Sequence, residues 1–442
     1  MDIRCIGDTN KVAAAATVAA GAFAAYQLWT VTSRWRRARR LANHEKVALL
    51  PSEVAPILCK SPATSTITYF ESGDLAAVQS FLSMRTDEIV AANPWLAGVL
   101  DYDENGAMAL FVPPATQGKH FEVLKVPLCE NYEALVKSVG SALCGTSEES
   151  VGTGAPLWKV ALVPDGTEGN FALVVSANHS FLDGHGYYKI YNMLSGSAPV
   201  QALSPQRKHD MSQKIIDAMG GEQSLMAASP PGFLFRFIGG VIWNAIFPAT
   251  KSMGFNISED WIKEQKANHD ESVPFVSTND VVVSKFCNSL KCDLAIMSIN
   301  FRGRIEGCNE DDVGNYEDLL SYTPSDYATP SLIRKSIAGP PYRRAGGGKM
   351  PTSCEHILGC TYGAITNWAT FARELNLPGA HQTQHIPIFD FQQSTPACIF
   401  GAMVIFKPKD GEIACCIAGK QELIDEINQS GMVGKPLEKL TF

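Results

Sequence analysis

The sequence lacks the cysteine patterns that a structural zinc site or a disulfide framework would need. Its twelve cysteines are scattered over 442 residues without a CxxC pair, whereas structural zinc sites generally use closely spaced cysteine or histidine pairs. This distribution is typical of free thiols in a reducing compartment. Basic charge is also in deficit, since 45 Asp and Glu residues outnumber 37 Lys and Arg residues for a net charge of -8. The deficit gives no basis for nucleic-acid binding.

Signatures of nucleotide binding and of repeat architecture are absent as well. The run AGGGK at 345–349 lacks the flanking glycine and the Ser or Thr of a phosphate-binding loop, and no internal repeat is visible. What is present is a globular composition, in which 45% of the residues are hydrophobic and 19% are charged. A chain of this length can bury a large core, as two or three domains or as one two-lobed unit.

A stretch of twenty residues without charge, VAAAATVAAGAFAAYQLWTV, runs from Val12 to Val31. As a helix it would measure about 30 Å, which matches the hydrocarbon thickness of a bilayer. Five arginines follow within residues 34–40, and the positive-inside rule then keeps the rest of the chain in the cytosol. We therefore predict a membrane anchor within residues 1–40, with the endoplasmic reticulum as the expected membrane. An organelle-targeting peptide and a soluble helix are the alternatives.

The remaining chain combines strand-like and helix-like patterns. PLWKVALVPDG and NFALVVSANHS predict the two strands of a hairpin, because a short polar, glycine-containing loop joins them. The stretch TNDVVVSKF has helical spacing. Ser277, which precedes it, and Thr278, its first residue, are candidate caps. We predict two lobes, each with its own sheet, and an apolar segment between them. The predicted boundaries are 50–215, 216–275 and 276–442.

The middle segment contains SPPGFLFRFIGGVIWNAIFP, in which Arg236 is the only charge between Phe233 and Phe247. Two interpretations of this stretch remain open. It is either a helix packed between the lobes or a surface-lying or re-entrant membrane element, although it lacks the strongly polar face of an interfacial amphipathic helix.

The stretch NHSFLDGHGYY, from Asn178 to Tyr188, contains the candidate catalytic residues. His179 follows an apolar strand, and histidine titrates close enough to neutral pH to take a proton from a hydroxyl or an amine. Asp183 can hold the loop by pairing with an arginine, and Gly184 permits close approach of a substrate. His179 and His185 lack a third convergent ligand, so we predict no metal and expect His185 to be exposed to solvent.

The segment HSFLDG, residues 179–184, matches an HxxxDG motif. It resembles the chloramphenicol acetyltransferase-like superfamily, which includes BAHD acyltransferases, peptide-synthetase condensation domains and wax ester synthase/diacylglycerol acyltransferases. APLWKVALV, STNDVVVSKF and SINFRGR followed by VGNYEDLL are similar to other stretches of these proteins. The resemblance covers about 56–419. The plant-type DFGWG signature is absent, and ITNWATF occupies a comparable place.

The resemblance implies an α/β fold of two similar lobes, with mixed sheets flanked by helices and a central tunnel. It implies that His179 is the general base, that Asp183 and Gly184 are structural, and that acyl-CoA is a co-substrate, with no bound cofactor. The arginine that pairs with Asp183 would be Arg302 or Arg304. The candidates for an oxyanion or tunnel position are Thr366, Asn367 and Trp368.

These implications lead us to expect a membrane-associated, CoA-dependent acyltransferase that acts on a hydroxyl or amine acceptor. The predicted anchor and the apolar middle segment favour a lipid alcohol as the acceptor. The expected partners are acyl-CoA, a small-molecule or lipid acceptor and a membrane, not nucleic acid, and we expect a monomer. Two alternatives remain: a condensation domain that takes thioesters from carrier proteins and forms amides, and a non-catalytic ligand-binding relative.

Overall fold

The computed structural model of the protein describes residues 39–115, 120–221, 230–391 and 395–442. The predicted anchor, residues 12–31, lies outside these ranges. Within them, no helix combines the length and the apolar composition that crossing a bilayer requires.

Strands and helices alternate along the described chain. The strands are β1 (Glu45–Ala48), β2 (Thr64–Glu71), β3 (Val99–Tyr102), β4 (Met108–Val112), β5 (Phe121–Val123), β6 (Trp158–Pro164), β7 (Phe171–Ala177), β8 (Lys251–Ile257), β9 (Leu294–Asn300), β10 (Glu317–Tyr322), β11 (Tyr362–Asn367), β12 (His381–Pro387), β13 (Phe400–Phe406), β14 (Ala414–Gly419) and β15 (Val433–Pro436). The helices are α1 (Pro56–Cys59), α2 (Leu75–Ala92), α3 (Tyr132–Ser138), α4 (Ser147–Ser150), α5 (Gly184–Asn192), α6 (Asp210–Ala218), α7 (Pro231–Ile246), α8 (Glu259–Ala267), α9 (Thr278–Leu290), α10 (Pro324–Tyr327), α11 (Pro330–Ser336), α12 (Ser353–Leu358) and α13 (Gln421–Gln429).

The first sheet has the strand order β12-β2-β7-β6-β5. The predicted hairpin is confirmed, because β6 and β7 pair antiparallel with Trp158 opposite Ala177. Every residue of β7 is buried, since Leu173 faces one hydrophobic core and Val174 faces another. Burial on both faces explains why this strand is apolar apart from Ser176 instead of alternating.

The second sheet has the strand order β10-β9-β11-β13-β14-β8-β15. Its centre is parallel, since β11 pairs in parallel with both β9 and β13, and its flanks are antiparallel. Helix α9 packs on it and begins at a capping box formed by Ser277 and Asp280, so the cap expected at Ser277 is present. The prediction of mixed sheets flanked by helices is confirmed. A small third sheet has the order β1-β4-β3.

The two large sheets do not divide the chain at the predicted boundaries. Strand β8 belongs to the second sheet, although it falls in the predicted inter-lobe segment 216–275. Strand β12, from the predicted lobe 276–442, pairs with β2 in the first sheet. The pattern of apolar residues indicates that a strand forms, but the choice of sheet depends on a partner far away in the chain.

Helix α7 packs on the second lobe, which is the second sheet with its flanking helices and connections, and not between the two large sheets. Its buried residue Phe233 joins a core with Leu294, Tyr362 and Ile399, all of which belong to the second sheet or its connections. The interpretation of this segment as a helix sandwiched by the two lobes is therefore wrong. The buried stripe of the helix consists of Gly232, Phe233, Gly240 and Asn244, and large apolar residues on its opposite side are exposed to solvent.

Candidate active site

His179 lies just beyond the end of β7, where the chain leaves the first sheet. Its side chain is 24% exposed, and its Nε2 atom lies 4.0 Å from Oε1 of Glu317 at the start of β10. Its Nδ1 atom is buried and has no hydrogen-bond partner among the described residues. The ring therefore presents Nε2 as the nitrogen that a substrate can reach, close to the carboxyl group of Glu317.

Asp183 closes the loop that begins at His179. One carboxylate oxygen accepts a hydrogen bond from the Gly186 N–H at 2.9 Å and so caps helix α5. The other accepts from Nη1 of Arg302 at 2.7 Å and from the Tyr316 N–H at 3.1 Å. Arg304, the other candidate partner, lies instead over the ring of Tyr342, 5.8 Å from its centroid.

The ion pair between Asp183 and Arg302 joins the two lobes. Both side chains are buried, with exposures of 1% and 0%, and burial of an ion pair requires that its remaining polar atoms be satisfied. Arg302 meets this requirement by donating to Oδ1 of Asn300 and to two backbone carbonyls, those of Asp312 and Gly314. This arrangement fixes the distance between the His179 loop and the edge of the second sheet.

A second buried ion pair holds the other side of the same loop. Glu53 and Arg207 have side-chain exposures of 0% each, and Nη2 of Arg207 donates to the Phe181 carbonyl at 2.8 Å. Oε1 of Glu53 accepts from the Asn315 N–H at 2.9 Å, and Nδ2 of Asn315 donates to the His179 carbonyl at 2.9 Å. The backbone of the loop is thus held independently of the imidazole.

Gly314 is required beside this second ion pair. Its φ of +129° is strained for residues with a side chain, and a Cβ atom there would lie 3.0 Å from both Nε of Arg207 and Oε1 of Glu53. Glu53, Arg207 and Glu317 were not identified from the sequence. The stretch VGNYEDLL contains Gly314, Asn315 and Glu317, so the sequence shows these residues but not the residues that they contact.

Thr366, Asn367 and Trp368 lie at the end of β11 and take different positions. Nε1 of Trp368 donates to Oγ1 of Thr366 at 3.1 Å, and a Cβ atom on Gly184 would lie 3.4 Å from the same indole nitrogen. Trp368 is buried and therefore forms a wall beside the HxxxDG loop. Asn367 faces away from this wall, since its Nδ2 atom donates to Oδ1 of Asn279.

His185 is buried, with an exposure of 8%, so the expectation that it is exposed is wrong. Its Nε2 atom lies 2.9 Å from the Glu310 carbonyl, and burial lowers its pKa. It lines a cavity of about 490 Å³ with Tyr188, Lys189 and Arg373.

No group of metal-ligating side chains occurs in the described ranges. A continuous tunnel past His179 remains a prediction.

The carboxyl group of Glu317 titrates near neutral pH. Burial raises its pKa from 4.5 to about 7; the charge of Asp183 also raises this pKa, whereas the charges of His179 and Arg302 lower it. An acid with a raised pKa binds its proton more tightly in the folded state. Its contribution to stability is therefore complete below pH 4.5 and decreases as the pH rises to about 7.

We expect Glu317→Gln to weaken the pH dependence of folding. Between pH 5 and pH 8 the wild-type protein should lose roughly 2 kcal/mol more of its free energy of unfolding than the variant, because the variant has no carboxyl group to ionise in the site. Urea denaturation at the two pH values measures this difference. Glu426→Gln, at an exposed ion pair on the surface, is the matched control and should behave as wild type. Identical pH dependence in all three proteins would contradict the raised pKa.

Several solved structures have the same fold. F. graminearum TRI101, solved with coenzyme A and deoxynivalenol, is 15% identical, with a TM-score of 0.55 over 87% of this chain and 97% of that one. The chain has the chloramphenicol acetyltransferase-like fold. Polyketide synthase associated protein 5 from Mycobacterium tuberculosis is 14% identical, with a TM-score of 0.55 and coverages of 88% and 96%.

A third neighbour of this acetyltransferase-like fold is the first condensation domain of the calcium-dependent antibiotic synthetase, solved with a substrate analogue. It is 12% identical, with a TM-score of 0.53 over 88% of this chain and 95% of that one. No protein-family model and no curated protein matches the sequence. At these identities the structural likeness establishes the fold, and function has to be argued from the site.

Proposed function

We propose that the protein is a membrane-associated acyltransferase that moves an acyl group from acyl-CoA to a hydroxyl or amine acceptor. The observation that carries this proposal is the state of His179. Its Nε2 atom is presented to a partly exposed site, while two buried ion pairs and Asn315 hold its loop. A histidine on a firmly held loop, with its Nε2 atom accessible, is suited to general-base catalysis.

In the proposed reaction, Nε2 of His179 takes the proton of the acceptor as the acceptor oxygen or nitrogen attacks the thioester carbonyl. The carbonyl π bond becomes an oxyanion, which must accept hydrogen bonds to be stabilised. Collapse of the intermediate breaks the carbon–sulfur bond, and the imidazolium returns the proton to the thiolate of CoA. The products are the ester or amide and free CoA.

Of the three candidates Thr366, Asn367 and Trp368, Thr366 is the one whose donor hydrogen is left available for the oxyanion. Its hydroxyl accepts from Nε1 of Trp368, so the hydroxyl hydrogen is available for another acceptor. Asn367 is engaged with Asn279, and the indole N–H of Trp368 is already donated to Thr366. We therefore assign the oxyanion role to Thr366 and the wall of the site to Trp368.

The structural neighbours support both the CoA thioester as donor and the rival reaction. TRI101 was solved with coenzyme A and with the small molecules deoxynivalenol and T-2 mycotoxin, which fits a CoA thioester and a small acceptor. A condensation domain was solved with a substrate analogue, which keeps amide formation from a carrier-bound thioester as the second candidate.

The test is an untargeted reaction screen on the purified full chain. Acyl-CoA donors from acetyl to palmitoyl are incubated with hydroxyl and amine acceptors, and mass spectrometry follows acylated product and released CoA. Release of CoA with stoichiometric product supports the proposal. Acylation that occurs only from carrier-protein thioesters would favour the condensation reaction, and tight acyl-CoA binding without any product would favour a ligand-binding protein.

Membrane association is proposed from the sequence. The uncharged segment 12–31 followed by arginines would span the endoplasmic reticulum membrane once and leave the catalytic body in the cytosol. Cell fractionation with carbonate extraction tests this proposal, since a single-pass protein stays in the membrane pellet. Recovery of the full-length chain in the soluble fraction would contradict it.

A further inference from the structure

Helix α7 turns a row of large apolar side chains toward solvent. Its outward residues are 41–76% exposed, and two residues of the adjoining helix α12 are 52% and 83% exposed. We call this set the α7–α12 face, and its members are Leu234, Phe235, Ile238, Val241, Ile242, Trp243, Ile246, Phe247, Ile357 and Leu358. Ordinary surfaces carry exposed apolar residues singly, whereas a contiguous patch of this kind marks an interaction surface.

Close packing on the inner side holds the helix in this orientation. A Cβ atom at Gly232 would lie 2.2 Å from the Ser353 carbonyl oxygen, and one at Gly240 would lie 2.3 Å from Cδ1 of Ile399. The glycines therefore let α7 lie directly on its neighbours. Because the inner face is matched so closely to the second lobe, rotation of the helix cannot bury the outer residues, and the apolar row remains outside.

The composition of the face fits a bilayer interior. Arg236 is the only charged residue between Phe233 and Phe247; its side chain is only partly exposed and its Nε atom is buried. Among the residues of the α7–α12 face, only Trp243 has a polar side-chain atom. Protein-binding surfaces usually combine an apolar centre with polar groups at the rim, whereas the acyl region of a bilayer offers no hydrogen bonds.

The chain outside the described residues would tether the body close to a bilayer. The predicted span ends at Val31 and the described chain begins at Arg39, so the connection measures about 28 Å at most when fully extended. A body tethered this closely stays at the membrane surface, where partial insertion of an apolar face costs little additional entropy.

We propose that the α7–α12 face docks the catalytic body onto the lipid bilayer. The inference rests on the proposed membrane association; the predicted span would favour docking, and the face should also bind a bilayer on its own. Docking would hold the second lobe flat on the membrane and give the site acceptors or acyl donors that partition into lipid. A single span without this contact would leave the orientation of the body free.

The test uses hydrogen exchange of the full-length chain with and without phosphatidylcholine vesicles. We expect amides in 231–247 and 353–358 to exchange several-fold more slowly when vesicles are present. The same is expected in a full-length variant whose span is disrupted by Val18→Arg and Phe23→Arg, which separates docking from anchoring. In that background, Phe235→Ser with Ile242→Ser should lower vesicle partitioning about tenfold.

Two further variants make the result specific. Met84→Ser removes an exposed apolar side chain of the first lobe, 58% exposed, and should leave partitioning unchanged. Leu358→Ser alone should weaken vesicle partitioning. This variant still tests the face if the double variant of α7 fails to fold.

Three outcomes would overturn the proposal. The first is the absence of vesicle-dependent protection in the span variant. The second is protection that needs no vesicles and disappears on dilution, which would identify a second copy as the occupant. The third is protection that needs no vesicles and is lost with the span substitutions, which would identify residues 12–31 as the cover.

Discussion

His179→Ala should lower the rate of acyl transfer by about 10²–10⁴-fold, the range that loss of a general base typically causes, and should leave the fold intact. The acceptor would then attack with its proton still bound, and no group would return a proton to the leaving thiolate. The backbone contacts of the loop survive the substitution, because Asn315 donates to the His179 carbonyl and not to its imidazole. Thermal denaturation and CoA release measured on the same preparation check both parts.

The matched control is His381→Ala. His381 is an exposed histidine at the start of β12, remote in sequence from the HxxxDG loop, so its removal should leave turnover at the wild-type rate. If the His179 variant kept wild-type turnover while the control behaved as expected, His179 would not be the base. A variant that binds acyl-CoA as wild type and releases no CoA would place the defect in the chemical step.

Asp183→Ala should reduce the free energy of unfolding by about 3–5 kcal/mol, because it leaves the Arg302 guanidinium buried without a countercharge. The two side chains are 1% and 0% exposed, so bulk solvent does not screen the charge that remains. The loss of the cap at the start of α5 adds to the effect. Urea denaturation measures the change, and turnover should fall as well, since the loop that carries His179 loses its contact with the second lobe.

A double substitution tests whether the loss of stability comes from the unpaired charge or from the missing side-chain volume. Asp183→Leu with Arg302→Met replaces both charges by apolar groups and should recover much of the stability lost in Asp183→Ala. Glu426→Ala breaks the exposed ion pair with Lys285 and should cost at most about 1 kcal/mol. Equal losses for Asp183→Ala and Glu426→Ala would show that the buried ion pair does not hold the site.

The elements around the site could be predicted because their determinants are local. Strand β7 is an almost continuous apolar run, the polar loop before it permits a hairpin, and Ser277 with Asp280 forms a capping box three residues apart. The exposure of His185 could not be predicted in the same way. Its ring is covered by Glu310 and by the edge of Phe371, which approach from distant parts of the chain.

The HxxxDG loop shows the same division between local and distant information. That Asp183 needs an arginine follows from the chemistry of a buried carboxylate, but the sequence offers Arg302 and Arg304 equally. The structure brings Arg302 to Asp183 across 119 positions and Arg207 to Glu53 across 154 positions. The proximity of Glu317 to His179 likewise depends on how the edge of the second sheet meets the first lobe.

The sequence by itself therefore determined the strand and helix types, the α/β class, the turn that presents His179 and the apolar character of residues 233–247. These properties depend on periodicity, caps and turns, which act over a few residues. Only the tertiary structure decided which sheet receives β8 and β12, which arginine neutralises Asp183, and that α7 carries its apolar row outward. Those outcomes depend on contacts between residues far apart in the chain, and local chemistry does not specify such contacts.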